Sequence, residues 1–340
     1  MRYRKLGSTG TIVSTLCLGT MTFGNETDEA GSHAQLDRFV EAGGTFLDTA
    51  DVYSRGVSEQ IIGRWLAARP GVRDKLVIAT KGRFPMGDGN NDAGLSRVHL
   101  SRALDASLAR LGVETIDLYQ AHAWDPQTPI EETLRFFDDA VRAGKIRYVG
   151  VSNFVGWQLQ KATLLARFAG QAPIVTVQPQ YNLLARDIEH EVVPVCLNEG
   201  IGILPWSPLG GGWLTGKYRR DELPTGATRL GENPNRGVEA YAGRNAAEQT
   251  WEVVDAVREV AKARDASMAA VALAWLADAP AVTSVILGAR TIEQLDDNLT
   301  AGDLVLDAAE RARLDEASAP RVADYPYGPA GVGQQSRKVP

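Results

Sequence analysis

Leu76-Val-Ile-Ala79, then Ser96-Arg-Val-His-Leu-Ser-Arg-Ala-Leu-Asp-Ala-Ser-Leu-Ala-Arg-Leu111, then Gly112 and Ile116-Asp-Leu-Tyr119: the order of these pieces decides the fold. The two apolar runs, too short for ordinary helices, read as buried strands. Between them Val98, Leu100, Ala103, Leu104, Leu108 and Leu111 recur near one helical face, with Ser96 as N-cap and Gly112 as a left-handed stop. Strand, helix and strand in that order form a βαβ unit with parallel strands.

Working outward, the same alternation recurs. Apolar runs at Leu16–Leu18, Thr45–Leu47, Leu76–Ala79, Ile116–Tyr119, Tyr148–Val151, Ile174–Val177, Gly202–Pro205 and Ser284–Leu287 give eight strand candidates. Ser58–Arg69 and Pro129–Ala143 read as further helices, the second with Thr128 as N-cap, and Gly144 and Gly200 stand where helices should stop. A hairpin signal, Gly7-Ser-Thr-Gly10 between Tyr3–Leu6 and Thr11–Ser14, precedes the first repeat. A doubly wound open sheet could generate part of this pattern. Eight repeats without a second compositional zone favour a single α/β domain over residues 1–340, a (β/α)8 TIM barrel with an N-terminal hairpin. Segments 83–95, 207–249 and 318–340, rich in Gly, Pro, Asn and Arg, break the spacing and are predicted as long loops on the C-terminal face of the barrel.

Composition narrows the function. The 340 residues are 44% apolar and 23% charged with a formal net charge of -6, which offers no broad positive field for nucleic acid or an anionic membrane and favours a small-molecule partner. Cys17 and Cys196 sit in separate segments without metal-ligand spacing, so buried reduced thiols are expected and neither a disulfide framework nor a metal site. Met1-Arg-Tyr-Arg-Lys5 lacks the apolar core of a signal peptide, and no apolar run approaches membrane-helix length; the expectation is a cytoplasmic protein.

Ionisable residues gather at strand ends. Asp48 follows Thr45-Phe-Leu, Lys81 follows Val77-Ile-Ala-Thr, and His122 follows Ile116-Asp-Leu-Tyr-Gln-Ala, while Tyr53 lies in the loop after Asp48. One polar residue at a strand end is most often a rim residue, but in a barrel these ends converge on one mouth. The group suits proton donation to a carbonyl oxygen. A tyrosine is a poor acid near neutral pH unless positive charge steadies its phenolate, which Lys81 can supply; Asp48 would orient Lys81, and His122 would align the substrate oxygen. None of these side chains donates hydride, so the chemistry needs a cofactor such as a reduced nicotinamide. A GxGxxG turn after the first strand is missing from the sequence, so barrel loops would have to build the dinucleotide site.

Along nearly its whole length the chain resembles the aldo-keto reductase superfamily. The likeness rests on Leu18-Gly-Thr-Met-Thr-Phe-Gly24, Phe46-Leu-Asp-Thr-Ala-Asp-Val-Tyr53, Ala79-Thr-Lys81, Asp117-Leu-Tyr-Gln-Ala-His122, Gly150-Val-Ser-Asn-Phe154, Gln178-Pro-Gln-Tyr-Asn182 and Trp206-Ser-Pro-Leu-Gly-Gly-Gly-Trp-Leu-Thr-Gly-Lys-Tyr218. The resemblance implies a barrel that binds NADPH in extended form and reduces aldehydes or ketones to alcohols, with Asp48, Tyr53, Lys81 and His122 as the tetrad. It places Ser152, Asn153 and Gln178 on the nicotinamide carboxamide, Thr20 and Met21 beside them, and Trp206 under the nicotinamide ring. Ser207, Leu209, Gly211 and Lys217 would hold the pyrophosphate, Gly288, Gln294 and Asn298 the adenosine end, and Arg290 the 2′-phosphate. Trp206, where many members have Tyr, resembles the branch with potassium-channel β subunits and bacterial reductases. That branch leaves a second reading open, an NADPH-binding redox-sensing subunit with slow turnover. Trp124, Trp213 and Tyr325 are candidates for substrate contact, whereas His33, His99 and His190 read as surface or packing residues.

Overall fold

Two short antiparallel strands, β1 (Tyr3–Lys5) and β2 (Ile12–Ser14), open the chain as the glycine-bearing turn required. The eight apolar runs follow as β3 (Leu16–Gly19), β4 (Phe46–Asp48), β5 (Val77–Gly82), β6 (Ile116–Ala121), β7 (Ile146–Ser152), β8 (Ile174–Gln178), β9 (Gly202–Ile203) and β10 (Val285–Leu287). In this computed structural model, which describes residues 1–226, 228–235, 237–328 and 330–331, they pair in parallel in the order β10-β3-β4-β5-β6-β7-β8-β9. The two ends meet: Ile203 N–H donates to Ala281 O at 2.8 Å, Thr283 N–H to Ile203 O at 2.9 Å and Ile286 N–H to Pro205 O at 3.0 Å. That closure makes the sheet a (β/α)8 barrel.

Period-two alternation explains what fills it. Cys17, Phe46, Ala79, Leu118, Val175, Leu204 and Ile286 form one apolar cluster drawn from successive strands, joined by Leu6 and Val13 of the hairpin. Their strand neighbours Leu16, Leu18, Leu47, Ile78, Ile174, Ile203, Val285 and Leu287 belong to the larger cluster shared with the helices. The hairpin therefore plugs the N-terminal end of the barrel. Its turn touches the strands so closely that a side chain at Gly7, at φ +56°, would meet Val175 O at 2.3 Å.

Around the barrel run α1 (Glu29–Glu41), α2 (Val57–Ala67), α3 (Arg97–Leu111), α4 (Ile130–Arg142), α5 (Gly156–Phe168) and α6 (Val192–Glu199). The chain continues with α7 (Arg229–Glu232), α8 (Tyr241–Ala246), α9 (Glu248–Ala263), α10 (Met268–Ala277), α11 (Ile292–Leu299) and α12 (Ala308–Ala317). Ser96 caps α3, accepting from His99 N–H at 3.3 Å, and Gly112, Gly144 and Gly200 all take left-handed φ after their helices. Thr128 does not cap α4. Pro129 occupies the cap position, and the Thr128 hydroxyl donates to Asp125 Oδ2 at 2.7 Å, a short local partner that outcompetes the helix end.

Segment 83–95 is irregular, as expected, and Asp125 pins its end by accepting Leu95 N–H at 2.8 Å. Segment 207–249 differs from the expected loop. It contains α7, α8 and tight turns gathered on a satellite core of Trp213, Tyr218, Leu230, Tyr241 and Trp251, in which Trp213 stacks on Tyr241 at 5.4 Å. Trp213 is 1% exposed, packed inside this satellite core and not on an open surface where a substrate contact was expected. The described part of segment 318–340 is largely turn; Tyr327 stacks on His190, and the remainder lies outside the described residues. Cys17 and Cys196 are both free and buried. Among the described residues no helix is long and apolar enough to cross a membrane.

Candidate functional site

The inward parity that stacks Phe46, Ala79 and Leu118 in the barrel also directs Asp48, Lys81 and Gln120, two residues further along β4, β5 and β6. A polar layer thus lies directly above the apolar one, at the C-terminal mouth. Lys81 is fully buried. Its Nζ donates to Asp48 Oδ2 at 2.7 Å, to the Thr49 carbonyl at 2.7 Å and to Tyr53 Oη at 3.3 Å. Asp48 is in turn oriented through its other oxygen, which accepts from Gln178 Nε2 at 2.8 Å and Gln120 Nε2 at 3.4 Å.

Tyr53 stands in a tight turn after β4, half-buried beside a cavity of about 460 Å³ that Met21, Gly24, Asn25 and Val52 also line. The His122 ring lies edge-on to Tyr53 with centroids 5.9 Å apart, and Phe84 also packs edge-on with it at 4.6 Å. The four residues singled out from the sequence therefore converge. Phe84, Gln120 and the Thr49 carbonyl join them. Strand parity could have pointed to Gln120, whereas Phe84 lies in an irregular loop with no periodic signal.

Charge in this pocket is strongly shaped by burial. Burial draws the Lys81 ammonium down, but Asp48 and Tyr53, by charge and hydrogen bond, more than offset that and hold its pKa above the ordinary value. For Tyr53, burial pushes the hydroxyl up; Lys81 pulls against it, and Asp48 adds to it, so the net position is above an ordinary tyrosine. Lys81 thus moderates the acid without making it an anion at rest, and Tyr53 keeps its proton. Burial, followed by the charges of Lys81 and Arg83, holds His122 down to about 2, leaving a neutral imidazole at working pH. Beneath the site, burial and then Glu59 push fully buried Asp51 up to about 7.

The residues expected around a cofactor form an arc over β7 to β10 and the C-terminal end of β3. Ser152 and Gln178 are buried; the Ser152 hydroxyl donates to Gln178 O at 2.8 Å. Asn153, at φ +56°, donates to His122 O at 3.0 Å and accepts from Trp206 Nε1 at 3.0 Å, which fixes the half-buried indole beside it. Thr20 is fully buried, donating to Asp48 O at 3.1 Å, while Met21 is exposed at the cavity. Ser207, Leu209, Gly211 and Lys217 lie on the turns after β9, where a side chain at Gly212 would meet Lys217 Nζ at 2.7 Å. Gln294 accepts Arg290 N–H at 2.9 Å, and Asn298 donates to Gly288 O at 3.3 Å, so these positions share one corner after β10. Arg290 is already engaged there, paired with Glu232 and Glu26. Trp124 packs edge-on to Phe154 and Trp157, and Tyr325 is 75% exposed.

Known proteins resemble the chain along most of its length. The Aldo/keto reductase family model covers residues 15–319. An uncharacterized oxidoreductase, YrpG, of Bacillus subtilis is 40% identical over 90% of this chain and 93% of its own. Versiconal hemiacetal acetate reductase of Aspergillus parasiticus is 33% identical over 94% and 98%, and a probable voltage-gated potassium channel subunit beta of Oryza sativa is 35% identical over 90% and 92%. A closed barrel with Lys81, Asp48, Tyr53 and His122 at its mouth, matched by these relatives across nine-tenths of their length and more, belongs to the aldo/keto reductase family.

Proposed function

We propose that the protein reduces a small aldehyde or ketone to an alcohol with NADPH, Tyr53 acting as the general acid. The observation that carries this reading is the chain Asp48–Lys81–Tyr53, with contacts of 2.7 and 3.3 Å, beside a neutral His122. The family and its oxidoreductase relatives support carbonyl reduction in general.

The residues present fit a nicotinamide dinucleotide. Lys217 is held below its ordinary pKa, first by loss of surrounding water and then by the charges of Arg290 and Arg229, so an anion placed beside Lys217 would be favoured. Ser152, Asn153 and Gln178 would meet the carboxamide, Trp206 the nicotinamide face, and Arg290 the 2′-phosphate; when bound, the cofactor supplies the hydride. The carbonyl oxygen would lie between Tyr53 Oη and the His122 imidazole. His122, being neutral, orients that oxygen by hydrogen bond without protonating it. Tyr53 delivers the proton as negative charge grows on the oxygen, and Lys81, held by Asp48 and Thr49, steadies the phenolate left behind. Phe84 and the buried ring of His122 exclude water from one side of the pocket.

The wild-type protein should consume NADPH with aromatic aldehydes or dicarbonyls at about 1 per second or faster. Tight NADPH binding with far slower turnover across such a panel would instead favour the sensing-subunit reading that the channel-subunit relative brings.

A further inference from the structure

The Arg290 guanidinium is occupied in a specific way. Its Nη1 and Nη2 donate to Glu232 Oε1 and Oε2 at 2.8 and 2.9 Å, a two-point fork, and Nη2 also reaches Glu26 Oε1 at 3.3 Å. Glu26 lies between β3 and α1 with its side chain 14% exposed, whereas Glu232 ends the short helix α7 with 45% exposed. The three residues thus tie the corner after β10 to α7 and to the loop between β3 and α1. A guanidinium presents its donors as a planar fork that matches a carboxylate or a phosphate edge, not both along the same edge.

A 2′-phosphate carries nearly two negative charges at neutral pH and prefers the same fork. It would meet two carboxylates already there, so the more exposed of them must leave. A ribose hydroxyl makes no such demand, because it can donate to a carboxylate and leave the ion pair intact. We infer that Glu232 is a cofactor-discriminating residue: it occupies the Arg290 fork, is displaced by a 2′-phosphate, and in leaving frees α7 from the corner. The inference rests on the proposal that Arg290 receives the 2′-phosphate. Glu26, the more buried of the two, stays and keeps the guanidinium aimed.

The test measures binding, not turnover, by calorimetry with 2′,5′-ADP and 5′-AMP on the full chain and on Glu232→Gln and Arg290→Ala variants. Removing the competing charge at Glu232 should tighten 2′,5′-ADP about five- to tenfold. Binding of 5′-AMP by Glu232→Gln should stay within about twofold. Hydrogen exchange in α7 should quicken with 2′,5′-ADP and not with 5′-AMP, a readout on the wild-type chain that needs no variant to fold. If Arg290→Ala weakens 2′,5′-ADP while Glu232→Gln leaves it unchanged, the displacement is overturned and the cofactor reading stands. If Arg290→Ala leaves 2′,5′-ADP unchanged, Arg290 is not the phosphate site and both fall.

Discussion

Replacing Lys81 by methionine keeps the side chain's length and removes its charge, and the structure sets what should follow. Nζ stands 3.3 Å from Tyr53 Oη and 2.7 Å from Asp48 Oδ2, fully buried. At the Tyr53 distance a unit charge acting on a developing phenolate is worth about 5 kcal/mol in an effective dielectric of about 20, or roughly three to four pKa units. With about half of that expressed in the proton-transfer transition state, kcat should fall about 100-fold. Stability should fall too. Asp48, 2% exposed, would keep only the amides of Gln178 and Gln120, and stranding a buried charge costs about 3–5 kcal/mol. The two effects separate in the double variant Lys81→Met/Asp48→Asn, which strands no charge: its melting temperature should recover most of the loss while its activity stays low. NADPH consumption at saturating aldehyde, with thermal melts followed by circular dichroism, reads both. A folded Lys81→Met protein with kcat within about threefold of wild type would show that the Lys81 charge does not assist the proton transfer.

Other outcomes follow from the same site. Asp51 has a folded pKa near 7 against an ordinary 3.8, so its protonated form is favoured in the fold and stability is lost as pH rises through that window. The loss is about 4 kcal/mol at most, and Asp51→Asn should abolish it; the same pH slope in denaturant melts of both proteins would count against the assignment. His122, at about 2, stays neutral through the working range, so kcat should show no inflection near 6.5 that disappears in His122→Asn. Trp206→Ala removes the indole anchored to Asn153 and should weaken NADPH binding about tenfold by fluorescence titration, as expected for a lost stacking surface of about 1–2 kcal/mol. Unaltered binding would move the nicotinamide away from Trp206.

How far the sequence could be read follows from where each signal is stored. Strands such as Val77–Gly82 and Ile116–Ala121 announce themselves locally, because apolar runs and stop glycines lie within a few residues of one another. The convergence of these side chains was legible for the same reason: Asp48, Lys81 and His122 each end a strand, and closure of the barrel brings them together. Thr128 was misread because its choice between the helix end and Asp125 depends on the conformation of residues 125–129. Trp213 looked like a substrate contact because the partners that bury it, Tyr241 and Trp251, lie about thirty to forty residues on, beyond any periodic window. Arg290's pairing with Glu26 and Glu232 spans 264 and 58 residues, and only the folded chain brings them together.

Whether Tyr53 delivers the proton is read from turnover of Tyr53→Phe by NADPH consumption, with NADPH affinity measured on the same sample. The substitution removes one hydroxyl and almost no volume beside the Lys81 ammonium. Affinity should stay within about twofold of wild type and kcat should fall about 1,000-fold. A Tyr53→Phe protein that turns over near the wild-type rate would contradict proton delivery by Tyr53.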